Sequence, residues 1–192
     1  MTYLIFGLVI FLGAHSLRIY GDAWRARALK SLGQSNWKLI ISALSVAGFL
    51  IMVWGYGLAR QTPVQIWAAP TAMRHLASLL TLPAFVLLAA AYVPGNGIKS
   101  RLRHPMVLSV KLWALAHLLA NGNLNQMVLF GSFLVWSVLS FRAARARDRR
   151  ESPPAMPARR GATVMSVLLG VSLWLAFTLW LHGLLIGVRP LG

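Results

Sequence analysis

Five histidines, His15, His75, His104, His117 and His182, are the side chains of this sequence best suited to hold a metal or move a proton inside an apolar interior. There is no cysteine, which removes thiolate ligands, catalytic thiols and disulfides together. The three acids, Asp22, Asp148 and Glu151, stand in polar segments. Neither a catalytic carboxylate pair nor a carboxylate proton relay across a membrane is therefore expected. Neutral imidazole is the commonest metal-binding side chain and the usual proximal ligand of haem iron. If a metal sits in this chain, histidine must hold it.

Spacing separates the candidates. His104 precedes Pro105, a residue suited to the first turn of a helix, and lies beside Arg101 and Arg103. It belongs at a membrane surface. His117 follows about 220° further around such a helix, at ~100° per residue, so the two imidazoles cannot share a site. Asn121, one turn beyond His117, is placed to hydrogen-bond its second ring nitrogen. The depth of His117 has two readings. If Lys111 snorkels to the nearer surface, His117 lies about 9 Å inside and can pair with His15, about 5 Å inside. If Pro105 marks the interface, His117 lies about 18 Å in and pairs better with His75 or His182. His182 itself, next to Gly183 and Gly187, reads first as a packing residue.

The elements that must carry these residues are apolar helices. Of 192 residues, 58% are hydrophobic and only 11% charged, with 19 Lys+Arg against 3 Asp+Glu. Soluble domains carry about 25% charge of both signs. A basic nucleic-acid binder would share the charge but not the long uncharged runs, so nucleic acid is not an expected partner. Segments 2–17, 39–59, 75–92, 105–120, 126–141 and 161–188 predict about six transmembrane helices, an all-α polytopic bundle in a lipid bilayer. Asn121-Gly122-Asn123 makes the turn between the fourth and fifth. The first helix has no positive residue before it and reads as retained rather than cleaved. Residues 142–160 read as a basic, proline-rich cytoplasmic linker lying against headgroups, and 161–192 as an added C-terminal span.

The basic residues orient the bundle. Arg18, Arg25, Arg27, Lys30 and Lys38 fall in the first interhelical loop and Lys99, Arg101 and Arg103 in the third. Seven arginines fall in the fifth, making fifteen on one side. The other side holds three, Arg60, Arg74 and Arg189. The asymmetry predicts cytoplasmic basic loops and both termini in the periplasm.

In order along the chain, FLGAHSLR, AGFLIMVWGYGLAR, RHLASLLTLPAFVLLAAAYVPG and RHPMVLSVKLWALAHLLANGNL resemble the NnrU family of bacterial membrane proteins. The likeness covers roughly residues 3–141 and is most specific in the last of these motifs. The resemblance implies the inner (cytoplasmic) membrane, a link to denitrification and nitric oxide metabolism, and respiratory or denitrification enzymes as partners. A relative, the zeta-carotene isomerase of plants and cyanobacteria, uses haem b to isomerise a cis double bond. Its two ligand histidines match His15 and His117 here; on depth alone, His75 is an alternative ligand. The isomerase has a cysteine three residues before the second ligand, where this chain has Ala114, so a thiol-based ligand switch is unavailable. In this picture Arg18, Arg103 and Lys111 are the cations for the haem propionates.

RHPMVLS is also similar to a motif of isoprenylcysteine-type membrane methyltransferases, where it contributes to S-adenosylmethionine binding. Val107 and Ser109 stand where that motif has Tyr and Gly, and its later glutamate-rich segment is replaced by RAARARDRRESPP. A third reading is a non-enzymatic assembly factor for a respiratory complex, with the bundle as its interaction surface.

Overall fold

The computed structural model describes residues 1–152, 154 and 156–191. Eight α-helical segments follow one another: α1 Thr2–Tyr20, α2 Asp22–Ala59, α3 Thr71–Tyr92, α4 Gly97–Leu102, α5 Pro105–Ala120, α6 Leu124–Glu151, α7 Arg160–Ala176 and α8 His182–Ile186. A π-helical turn, Phe177–Leu181, joins the last two into one span. Five of the resulting helices are long and apolar enough to cross a membrane. The remaining expected span, the fourth, is α5, which has 16 residues and rises only about 24 Å. The protein is a polytopic membrane helix bundle.

Two basic segments read from sequence as connections are helical. α2 begins at Asp22 and breaks at Gly33, whose φ of 77° lies in the left-handed region open to glycine. The span proper then runs on to Ala59. Likewise α6 does not stop near Phe141 but continues through RAARARDRRE to Glu151. Alanine and arginine are strong helix formers, and no breaker intervenes before Ser152. Pro153 and Ala155 of the expected linker, and Gly192 at the end of the expected C-terminal segment, lie outside the described residues.

The helices pack as a row in the order α2, α1, α6, α5, α3, α7. Small residues permit the close steps. A Cβ at Gly55 would collide with the Leu4 main chain of α1, and one at Gly170 with the Val86 main chain of α3. The upper end of the row gathers the 60–70 connection, the 121–123 turn and the C-terminal tail. Leu124 N donates to Val64 O at 2.8 Å and Arg60 Nη1 to Ile186 O at 2.9 Å. At the lower end, Arg147 Nη1 donates to Arg18 O at 2.9 Å and Arg159 N to Gly95 O at 2.8 Å. The fifteen basic residues of the sequence count belong to this lower half.

Candidate functional site

A cavity of about 570 Å³ lies between α3, α5 and the π turn, within the range of small-molecule and cofactor sites. Trp113 and His117 reach it from α5, Phe85 and Thr81 from α3, and Thr178 and His182 from the last span. Arg74 and Arg189, both exposed, stand in its wall at the upper end.

Both histidines are fixed by the main chain. His117 Nδ1 lies 2.8 Å from Trp113 O, one turn back in α5. His182 Nδ1 lies 2.6 Å from Val188 O. A carbonyl can only accept, so in each ring Nδ1 carries the hydrogen, and the neutral imidazole keeps its lone pair on Nε2. The ring centres of His117 and His182 are 6.4 Å apart, with planes at 26°. Phe130 packs on His117 with its centre 4.5 Å away, and Trp113 lies at 5.1 Å.

Two local features aim His182. In the π turn, hydrogen bonds skip one residue further than in an α-helix, and the amide of His182 donates to Phe177 O. The extra residue carries about 100° of rotation, so His182 takes the direction Leu181 would have in an unbroken α-helix. Beyond it, Gly187 turns the chain back at φ 77°, bringing Val188 O onto the imidazole.

His15 lies elsewhere. It is exposed on α1, its Nδ1 2.7 Å from Phe11 O and its ring 6.1 Å from that of Trp136 on α6. Along α6, Trp136 is six residues below Phe130, the contact of His117. The two expected ligands therefore differ in depth by about 9 Å and lie on helices that α6 separates. Arg18 and Arg103 belong to the lower end, where Arg103 closes α4, and Lys111 is half-buried on the lower half of α5. None of the three lines the cavity, nor does His75, which is exposed on α3.

Asn121 lines the upper rim but does not bond the imidazole. Its Nδ2 donates to the main-chain carbonyl of His117 at 2.8 Å, and its Oδ1 accepts from Gln126 Nε2 at 3.0 Å. Helix-end geometry explains the difference: Asn121 terminates α5 and serves the last carbonyls of that helix. His104, outside the cavity, pairs with Asp148 at 3.0 Å.

His182 is the residue that sequence reasoning undervalued. A signal existed. His117 lies four residues before the turn at Asn121, and His182 five before the turn at Gly187, so both stand about one helical turn below the same surface. α5 starts at Pro105, and His117 stands beside His182 rather than His15.

The family model for NnrU protein matches residues 3–190. The chain belongs to the NnrU family. The match extends through the last span, well past the 3–141 on which the resemblance rested, and takes in His182 and Arg189. No curated protein and no solved structure is similar enough to match. Among the described residues, no three His, Cys, Asp or Glu side chains come together as a metal-binding group.

Proposed function

We propose that this NnrU-family chain is a haem b protein of the bacterial inner membrane, with His117 as an iron ligand in the α3/α5/π-turn cavity. The observation that carries the reading is His117 itself. It is the expected ligand that lines this cavity, with Nδ1 bonded to Trp113 O and Nε2 left to coordinate.

The donor set fits the group. The cavity wall has imidazoles but no thiolate or carboxylate, too few ligands for a four-coordinate structural zinc. Haem brings its own macrocycle and asks the protein for axial ligands only. The walls are largely apolar and aromatic, and Arg74 and Arg189 offer charge-assisted hydrogen bonds to carboxylates. In this reading Arg74 and Arg189 replace Arg18, Arg103 and Lys111 as propionate partners, because those three lie toward the other end of the bundle. When bound, the group would supply one-electron exchange. The chain's own residues orient it, keep water out and neutralise its carboxylates. With the basic end cytoplasmic, the mouth faces the periplasm. Service to denitrification and nitric oxide metabolism, beside respiratory enzymes of the same membrane, is the role we propose for it.

The test is an absorption spectrum of the detergent-purified protein, oxidised and reduced. A Soret band is expected in the parent protein and in His104→Ala, and loss of most of it in His117→Ala. A colourless protein that takes up no added haemin overturns the reading. Tight S-adenosylmethionine binding by that colourless protein would point to methyl transfer instead.

A further inference from the structure

We infer that His182 is the second axial ligand, so that the cavity is a two-imidazole site bridging the fourth and the last membrane spans. The inference rests on the haem reading above and adds an assignment that composition and motif alone do not make. Two imidazoles on opposite sides of one metal, each with its nitrogen about 2 Å from the ion, have ring centres roughly 6 Å apart. His117 and His182 stand at 6.4 Å. Both rings spend Nδ1 on a main-chain carbonyl, which is the arrangement that leaves Nε2 for a metal and raises its basicity.

A second, independent observation concerns cost. A π turn is rare and is found mostly as a local insertion at functional sites. Here it occupies the five residues immediately before His182, in a span that is otherwise α-helical. Left as an α-helix, the span would rotate His182 about 100° out of its present direction. The Gly187 turn and the bond from Arg60 Nη1 to Ile186 O then hold the tail that supplies Val188 O. Three separate devices thus converge on one imidazole. A histidine that merely packed against a neighbouring helix would need none of them.

The experiment compares the parent protein with His182→Ala, His182→Met and His15→Ala by electron paramagnetic resonance, optical spectra and redox titration. The expected result is a low-spin bis-imidazole signal in the parent protein and in His15→Ala. In His182→Ala at least 80% of bound haem becomes high-spin, and millimolar imidazole restores the low-spin signal. In His182→Met the midpoint potential moves to a more positive value, as methionine ligation does. This variant carries the test if His182→Ala does not accumulate. A bis-imidazole signal that survives in both His182 variants but vanishes in His15→Ala overturns the inference while leaving the haem reading intact. A parent protein that binds no haem overturns both.

Discussion

Asp148 meets two side chains at once, His104 Nε2 at 3.0 Å and Arg145 Nη1 at 3.4 Å. It ties the start of α5 to the last turns of α6, and in a chain with three acids it has no substitute. The pair is partly exposed, so its net worth is modest. Asp148→Asn is expected to cost about 1 kcal/mol in thermal unfolding in detergent, with no loss of haem content. Asn96 is a sharper case. It is 1% exposed, donates to Ala90 O and Val93 O, and accepts from Lys99 N, closing the turn after α3. Asn96→Ala strands buried carbonyls and should cost about 2–4 kcal/mol, measured the same way. At this scale the sequence was partly legible. The absence of cysteine and of membrane acids pointed to imidazole, and His117 was singled out. Which imidazole it meets was left open among His15, His75 and His182, because that depends on the order in which the helices pack.

At the scale of elements, breakers and charge placed most helix ends within a few residues, as with Asn121-Gly122-Asn123 and Pro105. Charge misled where it clustered. The segment 22–32 and the stretch 142–151 look like loops by polarity, yet neither contains a proline, and both are helical. The π turn has no sequence signature; it follows α7, which packs closely on α3. That contact makes a test. Gly170 lies against the Val86 main chain with no room for a side chain. Gly170→Val should push α7 from α3, destabilise the protein by about 1–3 kcal/mol and loosen the cavity wall. Circular dichroism melting checks the first effect. The second should appear as faster haem release to an apoprotein acceptor. Gly131, with open space at its Cβ position, should tolerate alanine without either change.

For the whole molecule, the arginine and lysine count predicts an orientation that single cysteines can read directly, since the natural chain contains none. Gln61→Cys, at the upper end, should react with a membrane-impermeant maleimide in spheroplasts. Ser31→Cys, exposed in α2 just before Gly33 at the lower end, should react only after lysis. The reverse pattern would invert the topology. The short fifth helix has a consequence for the membrane itself. α5 rises about 24 Å where the hydrocarbon is about 30 Å thick, and its end is stitched by hydrogen bonds to the 60–70 connection beside it. A span this short is expected to thin the bilayer beside it. Such thinning would bring headgroups and water nearer to Arg74 and Arg189 at the cavity rim, shortening the way in for a charged ligand group.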